Sequence, residues 1–214
     1  MKSVLIPILF LLSAGNYVLA QETVKGEVSN NVSDFIYSDP VGERYLTLTI
    51  LKDGKEVRSL HAELESGGAF EREILPRLSP HGTYIYIVQV ESADLETPHG
   101  PVMSQTAYCS LVSVSNGCVL IRETGEFCGG AFTLNEQWAS SLYPELNLAG
   151  AAPRVGAFAS GELKPDNSHE NSFENLIACD PPSTKNADGY RAVIKNNIFD
   201  LDGTQLESLQ RNLE

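Results

Sequence analysis

The chain has 214 residues and carries 28 acidic against 15 basic side chains, a formal net charge of −13. That balance argues against nucleic acid or an anionic membrane surface as partner, because both draw their affinity from clustered Lys and Arg. Once a leader is removed, about 190 residues remain, enough for one ordinary hydrophobic core and a tail.

Lys2 supplies a short positive region, and residues 4–12 (VLIPILFLL) an apolar one of about nine residues. Val18, Leu19 and Ala20 follow as a cleavage site before Gln21. This is the anatomy of a secretory signal peptide over residues 1–20. The run is too short to span a bilayer, which takes roughly 20 apolar residues. No later stretch is long and apolar enough, so no membrane span is expected. The chain ends Arg211-Asn212-Leu213-Glu214 without a retention address, so retention in the endoplasmic reticulum calls for a partner or a different C-terminus. The sequon Asn31-Val32-Ser33 makes Asn31 the expected glycosylation site.

Residues 24–134 read as strands. In residues 44–51 (RYLTLTIL), Leu46, Leu48 and Ile50 alternate with Tyr45, Thr47 and Thr49, the period of a half-buried strand. Asp53-Gly54 supplies a hairpin turn, and residues 56–62 return. Residues 69–78 (AFEREILPRL) space Phe70, Ile74 and Leu78 four apart, which suits one helical face, and Pro76 limits this to a short helix or an irregular connection. Residues 84–90 (YIYIVQV) predict a strand buried on both faces, and residues 103–114 a long strand. Asn116-Gly117 is a strong hairpin signal. A further hairpin is expected between residues 118–123 and 126–134, around Thr124-Gly125. The expected fold is mainly β, an antiparallel sandwich of about seven to nine strands over residues 21–150. Its core would draw on Leu46, Leu48, Ile50, Tyr84, Tyr86, Val88, Leu111, Leu120 and Phe132.

Residues 142–148 suggest an edge strand. Beyond that, residues 151–214 read as a flexible, partly disordered tail, with segments 161–172 and 181–188 rich in Pro, Asn, Asp and Ser. Thr204 with Glu207 forms a capping box, and Leu206, Leu209 and Leu213 an apolar stripe, so the tail is expected to end in a short amphipathic helix.

Cys109, Cys118, Cys128 and Cys179, in a chain bound for an oxidising compartment, read as two disulfides. Cys109 is expected to pair with Cys128 or Cys118, and a bond at Cys179 would tie the tail to the sandwich. Zinc is disfavoured, because no C-x-x-C pair exists and no histidine is near. His61, His81, His99 and His169 are scattered, and Ser160 lacks the glycine two positions earlier that a nucleophile elbow needs. Asp200-Leu201-Asp202-Gly203 fails as a calcium loop at both ends and reads as a turn before a helix. No catalytic, cofactor or metal site is expected, and the chain is read as not an enzyme.

The residues 74–78 (ILPRL), the strand at 84–90 and the segment Ala107-Tyr108-Cys109-Ser110-Leu111-Val112 together resemble subunit ten of the endoplasmic reticulum membrane protein complex, over roughly residues 44–134. The resemblance implies a non-enzymatic lumenal β-sandwich, with the other lumenal subunits of that complex as partners. It implies a part in inserting and stabilising tail-anchored and multi-pass membrane proteins, with Cys109 as a structural cysteine. Members of that family usually carry a membrane helix, which this chain lacks, so localisation is open between the lumen and secretion. An alternative is an independent secreted, transthyretin-like sandwich that binds a protein or carbohydrate, for which Tyr37, Tyr45, Tyr108 and Trp138 would be the aromatic platform. A secreted hydrolase would require polar side chains converging in one pocket.

Overall fold

The computed structural model describes residues 22–28, 31–62, 68–73, 76–166 and 168–213. Residues 1–20, read as a signal peptide, lie outside these, and Asn31 is described only as the first backbone position of the second strand.

Among the described residues eleven strands run in chain order. They are β1 Glu22–Val28, β2 Asn31–Val41, β3 Arg44–Lys52, β4 Lys55–His61, β5 Ala69–Glu71, β6 Arg77–Leu78, β7 Tyr84–Thr97, β8 Gly100–Ser113, β9 Val119–Thr124, β10 Ala131–Phe132 and β11 Trp138–Ala139. Four α-helices of the described residues follow, α1 Val155–Ser160, α2 Phe173–Cys179, α3 Ala187–Lys195 and α4 Gly203–Arg211. The first nine strands form one antiparallel sheet that splits into two layers. One layer is β1-β2-β3 with β4 on the far edge of β3, and the other is β6-β7-β8-β9. The short β5 pairs with both β3 and β7 and so joins the layers.

The β3–β4 hairpin turns where Asp53-Gly54 demanded it. Both residues have positive φ, 53° and 72°, the geometry whose twist matches that of the flanking strands. Between the layers lies a first core, with Phe35 and Tyr37 from β2, Leu48 and Ile50 from β3, Leu60 from β4, Phe70 from β5, and Ile85, Ile87, Val112 and Val119 from the opposing layer.

The β7–β9 layer is buried on its other face as well. There Tyr86, Val88, Cys109, Leu111 and Leu120 are covered by residues 125–152 through Phe127, Trp138 and Leu148. The expected burial of residues 84–90 on both faces is therefore observed, and the core residues read from the sequence divide between two cores. Trp138 is fully buried, with Tyr86 stacked at 5.2 Å and Phe132 edge-on at 5.1 Å.

Four expectations are corrected. Within residues 69–78, read as a short helix or an irregular connection, Ala69–Glu71 and Arg77–Leu78 are the strand segments β5 and β6, because the open edge of β7 offers backbone partners and Pro76 cannot donate within a helix; Ile74 and Leu75 lie outside the described residues. The hairpin expected around Thr124-Gly125 does not form. Residues Gly125–Gly129 wind into a 3-10 turn, and β10 pairs with β11 instead. Residues 142–148 contribute only one bridge, Trp138 to Leu146, before a 3-10 turn at Leu148–Gly150.

The fourth concerns the tail, expected to be flexible. Its four helices enclose a third core of Val155, Phe158, Leu176, Tyr190, Val193 and Leu209. The polar stretches read as linker are tied by side-chain bonds. Asp180 accepts from Val155 N at 3.0 Å and from Asn186 Nδ2 at 2.8 Å, and Tyr190 Oη donates to its carbonyl at 2.5 Å. The capping box of α4 also sits two residues earlier than expected, with Asp202 and Gln205 bonding each other's backbone. The Asp200–Gly203 segment is thus the turn before a helix that its failed calcium pattern suggested.

Candidate functional site

Two features stand out from this frame, a projecting ribbon and the junction where the helices meet the sheet. The ribbon arises because β7 and β8 are both 14 residues long, whereas their neighbours stop early. On β7, β5 reaches only to Val90, and on β8, β9 reaches only to Tyr108. From Glu91 to Thr97 the two strands pair only with each other among the described residues, a reach of about 23 Å at the usual strand rise. Leu95 stands directly opposite Val102, each 54% exposed, and Met103, opposite Asp94, is 67% exposed. No Lys or Arg occurs from 91 to 107, and Glu91 at the root pairs with Arg122 of β9. Neither edge of the ribbon is paired to another strand among the described residues, the arrangement that accepts a partner's strand.

The root of the ribbon is covalently fixed. Cys109 of β8 bonds Cys128, with Cα atoms 5.4 Å apart, and Tyr86 Oη donates to the Cys128 carbonyl at 3.1 Å. The second bond, Cys118 to Cys179, closes 61 residues and joins α2 to the start of β9. All four cysteines are thus paired, and the two open partners for Cys109 resolve in favour of Cys128.

At the junction, the edge of β9 is sealed by side chains. Asn175, fully buried on α2, accepts from Val119 N at 2.8 Å and donates to Val119 O at 2.9 Å, as a neighbouring strand would. It also donates to Glu170 O at 2.8 Å. Arg58 of β4 donates through Nη1 to Asn175 Oδ1 at 2.6 Å and to Gly117 O at 2.7 Å. Gly117 is constrained twice, since its φ is +68° and a Cβ there would lie 2.5 Å from Arg58 Cβ. Asn116 anchors the same turn to α2 through a bond to Ala178 O at 2.8 Å.

Burial dominates the electrostatics of this seam. Desolvation lowers the Arg58 pKa, against the opposing charge of Glu174. Desolvation and the nearby Arg58 and Arg122 charges push His169 down to about 4. Desolvation, with Glu123 and Asp166 adding, pushes Glu170 up to about 7, although the backbone N–H of Arg122 donates to it. His169 is therefore neutral at pH 7, its ring stacked on Phe70 at 5.9 Å.

The residues weighed from sequence are dispersed. Trp138 and Tyr37 are core, Tyr45 packs at 5.5 Å on Tyr37, and Tyr108 lies under the Arg122 guanidinium at 3.6 Å. They do not gather into one exposed aromatic platform. His61 is exposed on β4 beside Thr47 Oγ1, and His81 and His99 sit in exposed turns. Sequence reasoning missed Arg58 and Asn175. The signal available was Asn175 itself, a polar residue facing inward from the otherwise apolar run Leu176-Ile177-Ala178, after the cap residue Ser172.

Between β4, the Asn116-Gly117 turn, α2 and α4 lies a groove of about 680 Å³. Val57, Phe173, Ile177 and Leu209 give it apolar lining, and Arg58 lines it as well. No group of His, Cys, Asp and Glu among the described residues is placed to hold a metal ion. No described helix is long and apolar enough to cross a membrane. No family model, curated protein or solved structure matches the chain.

Proposed function

We propose that the chain is a non-enzymatic lumenal subunit of the endoplasmic reticulum membrane protein complex, assisting insertion and stabilisation of tail-anchored and multi-pass membrane proteins by contact with its neighbours. The observation that carries the reading is the ribbon and its root. The segment Ala107-Tyr108-Cys109-Ser110-Leu111-Val112, on which the resemblance to subunit ten rests, is where β8 leaves the sandwich. Cys109 within it is cross-linked, and beyond it the strand presents Val102 and Met103 to solvent. Apolar side chains held out on a covalently rooted ribbon with free strand edges suit docking to another folded domain. The two disulfides suit an oxidising lumen.

Affinity purification of the tagged chain from mild-detergent extracts of microsomes tests the assignment. The other lumenal subunits of the complex are expected in near-stoichiometric yield. A chain recovered alone, with those subunits absent from the eluate and present in the extract, refutes it.

A further inference from the structure

We infer that the groove between β4 and the α2–α4 pair is a binding site for a medium-chain fatty carboxylate, its head on Arg58 and its chain along the apolar walls. This stands apart from the complex-subunit reading and does not depend on it.

The head group follows from how Arg58 is used. Its Nη1 is occupied by Gly117 O and Asn175 Oδ1, which fix the guanidinium in place. Its Nε and Nη2 make no hydrogen bond to the described residues, and Arg58 is one of the side chains that line the groove. That free edge is the two-donor fork that a carboxylate engages side-on. A guanidinium held rigid by a third nitrogen loses little further freedom when a carboxylate arrives, and the surrounding apolar walls strengthen the pair.

The body follows from the walls and size. Val57, Phe173, Ile177 and Leu209 line the groove, and its volume of about 680 Å³ falls in the range of small-molecule sites, roughly 300–1,000 Å³. The floor is rigid, because Cys118–Cys179 and the Asn175 bonds hold α2 against β9. Glu174 at the rim, exposed and bonded by Gln205 Nε2 at 3.2 Å, sets a charge against an incoming anion. Removing it should therefore tighten binding, a sign that a purely hydrophobic groove would not show.

Titration calorimetry of the full mature chain, both disulfides intact, with decanoate and with decanol as the uncharged control, tests the site. Decanoate is expected to bind at least tenfold more tightly than decanol. Arg58→Met should weaken decanoate about tenfold and leave decanol unchanged, and Glu174→Gln should tighten decanoate a few-fold. Should Arg58→Met fail to fold, Ser208→Trp serves, since Ser208 is exposed on α4 and a Trp there fills the groove. It should abolish decanoate binding. No decanoate binding to the native chain, equal affinity for the alcohol, or binding unaffected by Ser208→Trp overturns the inference. So does binding of a short apolar peptide where decanoate fails.

Discussion

Replacing Asn175 by Ala probes the joint on which the relation of helices to sandwich depends. The side chain makes four hydrogen bonds: from Val119 N, to Val119 O, to Glu170 O, and from Arg58 Nη1. Neutral bonds contribute on the order of 1 kcal/mol each and a bond to a charged group about 2. Val119 is fully buried, so both its backbone groups would be stranded without water, which makes the upper part of that range apply. The expected loss is about 4–5 kcal/mol, among the larger effects of any single substitution. Asn116→Ala, at a more exposed position of the same seam, should cost only about 1 kcal/mol. Urea unfolding followed by fluorescence of Trp138, the only tryptophan, and by far-ultraviolet dichroism for the helices gives both numbers. The two probes should move together in the native chain and separate in Asn175→Ala, with the helical signal lost first. A loss below about 1 kcal/mol, or coincident transitions in the variant, would show that Asn175 does not hold the seam.

Other perturbations follow from the same contacts. Removing the Cys118–Cys179 bond as a double serine variant frees a 61-residue loop and should cost about 4 kcal/mol, against about 3 for the 19-residue Cys109–Cys128 loop. The reverse order in urea titrations contradicts the loop argument. His169 and Glu170 should oppose each other in pH dependence. The histidine, with its folded pKa lowered to about 4, contributes stability that is lost as pH falls from 6.5 toward 4. The glutamate, raised to about 7, contributes stability present below pH 4.5 and lost as pH rises toward 7. His169→Gln should therefore uncover stability that falls with rising pH between 5 and 6.5, and Glu170→Gln the opposite slope, each up to about 1.4 kcal/mol per pH unit. Parallel profiles for the two variants count against this. Gly130→Ala should cost about 1–3 kcal/mol by thermal unfolding, because a Cβ there would lie 2.6 Å from the Trp138 ring and from Ala139 O. A neutral result means that the covering segment gives way easily.

The β-rich half was legible where local chemistry and tertiary need agree. The strand at residues 44–51, the Asp53-Gly54 and Asn116-Gly117 turns and the apolar strand at 84–90 all appear as read, although Thr47 of the first strand is buried where alternation would expose it. The four-residue spacing of Phe70, Ile74 and Leu78 misled because a free sheet edge outweighs weak helical periodicity near a proline. The tail misled for a different reason. Its Asn, Asp and Ser residues resemble those of a linker by composition, but Asp180 and Asn186 spend their polarity on backbone groups inside a folded unit. Composition does not show where a side chain's hydrogen bonds end. For the same reason Arg58 and Asn175, separated by 117 positions, could not be linked beforehand. The ribbon was half visible, since a long strand was expected at 103–114. Its exposure follows only from neighbours that stop short.

A photo-activated crosslinker at Val102, near the tip of the β7–β8 ribbon, offers the most direct measurement of whether this chain works by contact through that ribbon. Installed in the chain expressed in cells, it should yield one dominant adduct with another lumenal subunit of the proposed complex, while a probe at the exposed Lys55, the first residue of β4, yields little. Adducts from Lys55 with none from Val102, or no adduct from either while the chain accumulates in the medium, would contradict the account.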